Sequence, residues 1–162
     1  MTSLTIFQAA ARHVPGILKV KKEAHELFVE QRPDVYKESE ILYTDDFLKR
    51  FLSRADHRIL AAAIADEIVG YAFVQSVEVQ LPMLTDRSYV YIHDLAVAQA
   101  HRGVGIASAL LRAVDEFARD IGADKVELAV HIFSDAAISL YEKKGFTIRT
   151  LRMEKDLSTR SS

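Results

Sequence analysis

The chain contains no cysteine in its 162 residues. That absence excludes a disulfide framework, a thiolate metal site and a covalent mechanism through a cysteine acyl-enzyme. An excess of one charge sign is also missing: 21 Lys and Arg stand against 23 Asp and Glu, a net charge of −2. The surface therefore has no basic footprint for nucleic acid or an anionic membrane. No apolar run approaches the roughly 18 residues of a membrane span, and no basic start leads into an apolar signal core. A cytoplasmic protein without nucleic-acid or membrane partners is the resulting expectation. His25, His57 and His131 have no metal-ligand spacing with one another, so no metal site is expected.

What is present suits one soluble fold, with 49% hydrophobic and 27% charged residues in a one-domain length. Its most informative stretch is Arg102-Gly103-Val104-Gly105-Ile106-Ala107-Ser108. Before it, Tyr89 to Ile92 and Leu95 to Val97 read as a largely buried strand. After it, Ile106, Ala109, Leu110, Ala113, Val114, Phe117 and Ile121 recur at spacings of three and four, the signature of an amphipathic helix. Gly122 follows as its stop. A strand, a glycine-rich turn and a helix N-terminus together make an anion cradle, to which Arg102 adds a phosphate donor.

Spacing separates the designs that share this outline. A P-loop needs Lys-Ser or Lys-Thr after its last glycine, where Ile106-Ala107 stand. The dinucleotide fingerprint needs its first glycine directly after the strand, but Ala98 to Arg102 intervene. Its ribose acid would be Glu127, which falls inside a strand pattern instead of at its end.

The segment resembles instead the pyrophosphate motif of the GNAT superfamily of acyl-CoA-dependent N-acyltransferases: Arg or Gln, two residues, Gly, one residue, Gly or Ala. Arg102, Gly105 and Ala107 meet it position by position. A second match, Asp135 to Phe146 with Tyr141-Glu142-Lys143-Lys144-Gly145-Phe146, resembles the family's helix ending in Tyr-Glu-Lys-x-Gly-Phe. The two motifs cover about residues 89–157, and the N-terminal part is similar only in its order of elements.

The resemblance implies an α/β (α+β) fold with a mixed, mostly antiparallel sheet of six to seven strands and helices on both faces. A single domain over residues 1–157 and a polar tail from Ser158 to Ser162 are expected. Acyl-CoA would lie in a V between the strand of Leu95 to Val97 and a strand from Lys125 to His131, with the Leu95 and Val97 backbones on the pantetheine arm. Residues 102–108 would hold the pyrophosphate. Ser134, standing where the family often has asparagine, either touches pantetheine or caps a helix, and the cap is the favoured reading. Lys143 would meet a CoA phosphate or simply complement a helix C-terminus.

The implied reaction is direct transfer of an acetyl group from acetyl-CoA to a primary amine. Tyr141 matches the family tyrosine that protonates the departing sulfur, although it also falls on an apolar helix face. For the base, alternation sends His93 and Asp94 to opposite faces of their strand, so only one can face the cleft. His93, Asp94 and bulk water all remain candidates. Substrate choice falls to residues 31–46, where Asp34, Glu38, Glu40, Asp45, Asp46, Tyr36 and Tyr43 form either an acidic aromatic mouth or a solvated loop. The acceptor is a small-molecule amine or a protein amine, and a strand edge near the C-terminus would suit a homodimer. A non-catalytic acyl-CoA-binding domain on the same fold is the alternative.

The remaining elements follow from pattern. Val14 to Glu30 reads as a helix broken at Arg32-Pro33-Asp34, and Thr44 caps a short helix carrying Phe47, Leu48, Phe51 and Leu52. Ile59 to Ala65 and Ile68 to Val79 form a hairpin turning on Asp66-Glu67. Two short strands are expected at Phe146 to Ile148 and Leu151 to Met153.

Overall fold

The computed structural model describes residues 3–158. The chain divides into two compact units, one running to Ala129 and one beginning at Val130. Of the polar tail, Thr159 to Ser162 lie outside the described residues.

The first unit holds β1 (Leu4–Gln8), α1 (Val14–Gln31), α2 (Asp45–Ser53), β2 (His57–Ile64), β3 (Glu67–Val79), β4 (Arg87–Val97), α3 (Ile106–Asp120) and β5 (Lys125–Leu128). Its five strands lie in chain order, and every neighbouring pair is antiparallel except β4 and β5. That exception is required, because a strand that returns through a helix such as α3 comes back parallel.

Alternation along the long central strand β3 gives the sheet two apolar faces. Tyr71 and Phe73 lie in a cluster with Ile17 and Val20 of α1 and with Leu48 and Phe51 of α2. Gly70, one place earlier, faces Ile106 and Leu110 of α3 on the other side. Helices therefore cover both faces, as expected of an α/β sheet. At α2 the Thr44 side chain accepts from the Phe47 N–H, the cap its sequence predicts.

The β2–β3 turn sits one residue earlier than the acids suggest. Ala65 and Asp66 are its two central residues, both with positive φ (49° and 64°), and Glu67 already pairs with Ile64. A two-residue turn of this hand matches the right-handed twist of the strands and needs φ above zero twice. Asp tolerates that conformation, whereas an alanine there costs roughly 1–2 kcal/mol. Ala65→Asn should therefore raise stability by up to about 1 kcal/mol in urea unfolding, with activity unchanged.

In the second unit, α4 (Asp135–Lys143) is the only helix among the described residues. Its end explains the second sequence motif physically. The Gly145 N–H bonds the Glu142 carbonyl and the Phe146 N–H bonds the Tyr141 carbonyl, with Gly145 at φ 91°. This is a Schellman cap, and the Phe146 ring folds back onto Tyr141 at 5.5 Å.

Phe146 to Ile148 and Leu151 to Met153 carry no strand, so five strands stand where six to seven were expected. Only Arg149 and Thr150 separate the two segments, and neither supplies the positive-φ chemistry of a two-residue hairpin. The C-terminal strand edge invoked for a homodimer is accordingly not formed among the described residues, and the sheet edges are β1 and β5. No helix is long and apolar enough to cross a membrane, and no group of three or more ligating side chains is placed to hold a metal, both among the described residues.

Candidate active site

The parallel ladder between β4 and β5 covers only Tyr89 to Ile92 against Lys125 to Leu128. Past Ile92, β4 runs on to Val97 paired with β3 alone. Which backbone groups face the opened edge follows from two bonds. Ala98 N–H donates to the Val69 carbonyl on the β3 side, and the Val97 carbonyl is turned away and accepts from Arg102 Nε at 3.2 Å. Strict alternation then puts the N–H and C=O of Leu95 on that same outer edge as those of Val97. These are the backbones assigned to pantetheine from the sequence, now seen as a pair of strand residues with no ladder partner on that side.

Arg102 follows a single 3-10 turn at Gln99–His101, whose Gln99 N–H is held by Glu23 of α1 at 2.7 Å. The glycines after it have φ of 78° at Gly103 and 91° at Gly105. A Cβ at either would meet nothing within 4 Å, so the requirement is conformational, and side-chain crowding has no part in it. The turn delivers the chain into α3 with no side-chain cap. Ala109 N–H already reaches the Gly105 carbonyl, which leaves the N–H groups of Ile106, Ala107 and Ser108 as the orphan donors of the first turn. Val104 is exposed at the crest. Residues 102–108 thus present backbone donors, the positive helix end and one guanidinium in one short stretch.

The dinucleotide alternative loses its acid here. Glu127 lies on β5 within 2.7 Å of Arg87 Nη1, so its carboxylate is engaged by a guanidinium.

Beside this edge, β4 contains an irregularity that alternation does not foresee. Phe73 pairs with Asp94 and Val74 with Ile92, so His93 has no partner and forms a β-bulge. The extra residue shifts the phase of the strand. Both His93 and Asp94 then meet the α1–α2 side: His93 packs against Phe51 of α2, and Asp94 against Lys21 of α1. The expectation that the two face opposite sides is corrected, and the bulge is the reason.

Their chemical situations differ sharply. Asp94 is largely buried, forms an ion pair with Lys21 at 3.0 Å, and accepts from the hydroxyls of Tyr43 (2.5 Å) and Tyr71 (3.0 Å). Burial, followed by the Asp94 charge, pushes both phenols well above the usual tyrosine range, so they stay donors. Lys21 also lies over the rings of Phe28 and Tyr43. With Lys21, Tyr43 and Tyr71 all on its Oδ2, this carboxylate is held in place as an anchor. His93 is exposed, donates or accepts through Nε2 with Gln75 Oε1 at 2.8 Å, and has its pKa lowered by desolvation and then by His57. A histidine held below its ordinary 6.5 is a neutral imidazole at neutral pH.

The acidic, aromatic loop is partly dismantled. Asp34 bonds Arg32, Asp46 bonds Arg50, and Tyr43 is stacked inward between Phe47 and Phe73. Glu40 and Asp45 remain, with Leu18, Ile41 and Tyr43, around a cavity of about 380 Å³.

In the second unit, Ser134 occupies the N-cap position of α4 but makes no capping bond. Its ψ of 66° departs from the extended geometry that aims a cap side chain at the helix N–H groups. Lys143 sits exposed in the last turn of α4, and Tyr141 is half-buried.

Sequence reasoning gave no role in the site to Lys21, Tyr71, Gln75 or Asp56. No local signal marks them, since each acts through a partner on another element.

An opened parallel strand pair, a double-glycine turn and a helix start thus follow one another along residues 89–120. The acetyltransferase (GNAT) family profile matches residues 21–146, and the chain belongs to that family. N-acetyltransferase 8 of Rattus norvegicus is 36% identical over 110 residues, 67% of this chain and 48% of that one. The chain spans about half the length of the curated relatives it matches. Among solved structures, a single-residue mutant of the BH1408 protein from Bacillus halodurans has a TM-score of 0.91 at 24% identity, covering 94% of this chain and 99% of that one. The aminoglycoside acetyltransferase HMB0005, from an uncultured soil metagenomic sample, has a TM-score of 0.69 at 28% identity, covering 96% and 99%.

Proposed function

We propose that this protein is an N-acetyltransferase that carries the acetyl group of acetyl-CoA to the primary amine of a small molecule. The single observation that carries the reading is the outer edge of β4 at Leu95 and Val97, continuous through Arg102 with the double-glycine turn. A strand edge with regular N–H and C=O groups suits an amide-bearing arm, and the turn suits a pyrophosphate. Acetyl-CoA supplies an activated acetyl group as its thioester.

Arg102 and the N–H groups of residues 103–108 hold the pyrophosphate, and Leu95 and Val97 align the pantetheine amides. A backbone N–H on this edge faces the thioester carbonyl, where a fixed donor is most effective as charge develops on oxygen. His93 removes the amine proton, directly or through water. Asp94 is the anchor of the bulge, with no proton role. Tyr141 delivers a proton to the departing sulfur, a role that rests on its motif, and Ser134 and Lys143 supply secondary cofactor contacts. The amine enters past Glu40 and Asp45, whose carboxylates favour a cation. Relatives named as aminoglycoside acetyltransferases support a polyamine-like acceptor.

Two outcomes test this. Arg102→Ala should weaken CoA binding by about tenfold to a hundredfold in calorimetry, with the fold intact, because it removes one charge-assisted phosphate contact. Unchanged affinity would mean the cradle is misplaced. The acid limb of kcat/KM should fall below pH 6.5, since His93 must lose its proton to act and its pKa is depressed. A limb well above that value would remove His93 as the base.

A further inference from the structure

Around His93 lies a hydrogen-bonded cluster that the reaction as described leaves unused. Asp56, in the turn before β2, accepts from His57 Nδ1 at 2.8 Å and lies 3.5 Å from Gln75 Nε2. Gln75 on β3 holds its Oε1 2.8 Å from His93 Nε2. The His57 and His93 rings run parallel, 6.3 Å apart, with Phe51 edge-on to both.

The proton positions follow from donor and acceptor chemistry. The His57 ring N–H, more than any other contact, holds the Asp56 carboxyl at about 2, so Asp56 is an acceptor only. It therefore demands the NH₂ end of the Gln75 amide, which turns the carbonyl end toward His93. A carbonyl oxygen only accepts, so His93 Nε2 must carry the hydrogen. In the neutral ring the lone pair is then on Nδ1.

We propose that Gln75, oriented by Asp56, is a positioning residue that locks His93 in its Nε2–H tautomer and makes Nδ1 the atom that takes the amine proton. The inference rests on the reading of His93 as base and names the group that makes it one. Against this ring stand His57 from β2, with Asp56 and its partner Arg54 in the turn before it, Tyr91 from β4 itself and the Phe51 ring from α2.

The test is imidazole ¹H–¹⁵N correlation spectroscopy on the full chain at about pH 8, where histidine is neutral. The wild type should show His93 as the Nε2–H tautomer. Gln75→Leu should convert part of that population to Nδ1–H and lower kcat, with the His57 signals in place as evidence of an intact fold. Gln75→Glu puts an anion on the same nitrogen and should raise the His93 pKa by about one unit. The acid limb of kcat/KM should move up by the same amount. An Nδ1–H tautomer in the wild type, or a tautomer unchanged by both Gln75→Leu and Asp56→Asn, would overturn the proposal. A His93 titration that moves while the acid limb stays fixed would instead overturn the base reading, and the spectrum tells the two failures apart.

Discussion

Replacing Tyr141 with Phe is expected to lower kcat by roughly ten- to ten-thousandfold, with little change in CoA affinity or stability. The surroundings of the residue make the substitution selective. Tyr141 holds its place in α4 through ring packing on Phe146 and through backbone bonds of the Schellman cap, and a phenylalanine keeps both. Only the hydroxyl is lost. A phenol hydroxyl can pass its proton to a leaving thiolate. Equal turnover in the variant would reduce the Tyr-Glu-Lys-x-Gly-Phe motif to a helix terminator. The measurement is steady-state kinetics with acetyl-CoA varied, because a cofactor-binding role would appear in KM and a proton-donor role in kcat.

The second large effect is on stability. Lys21→Met leaves the Asp94 carboxylate buried with two phenol donors and no counter-charge. Breaking a buried ion pair from one side typically costs about 3–5 kcal/mol, since the surviving charge keeps its desolvation penalty. Side-chain exposures of 15% and 12% put this pair in that class. The exposed pair Arg50 and Asp46, at 74% each, supplies the internal control, because Arg50→Met should cost less than about 0.5 kcal/mol. Urea unfolding of both variants decides the point, and equal small losses would show that Asp94 is not an anchor. The loss should also reach activity. Asp94 fixes the bulge that sets both His93 and the outward phase of Leu95 and Val97, so Lys21→Met should lower kcat even where the protein remains folded.

The parts of this account that were legible in the sequence are those written in local chemistry. Two glycines two residues apart, Gly103 and Gly105, at the start of an amphipathic run specify a left-handed turn into α3, and the structure has both at positive φ. Thr44 before Asp45-Asp46-Phe47 specifies a cap, and the bond is made. The hairpin turn falls one residue earlier than its acids suggest because Ala65 takes one of the two positive-φ positions, for which alanine gives no compositional mark. Ser134 shows the limit of composition even in a local signal: the right residue stands at the N-cap, with a backbone angle that misdirects its hydroxyl.

The centre of the candidate site was less legible, and for one reason. Its pieces meet across the sheet: Tyr43 is 51 positions from Asp94, and Gln75 is 18 from His93. Alternation holds only for an unbroken strand, and a bulge at a single residue brings His93 and Asp94 to the same side of the sheet where opposite sides were expected. Residues 31–46 were read for their charge, yet Tyr43 is fixed by stacking on Phe73 and by Asp94, partners that only the tertiary fold supplies.

The central claim is acetyl transfer to an amine, and the most direct test is CoA thiol release from acetyl-CoA against a panel of aminoglycosides, polyamines and amino acids. A chain with no cysteine adds no thiol of its own to the signal. The account predicts release that depends on one class of cationic amine, falls in Tyr141→Phe, and fades with protonation of His93. Tight CoA binding with no amine-dependent release across that panel would contradict it and make the cradle that of a binding module.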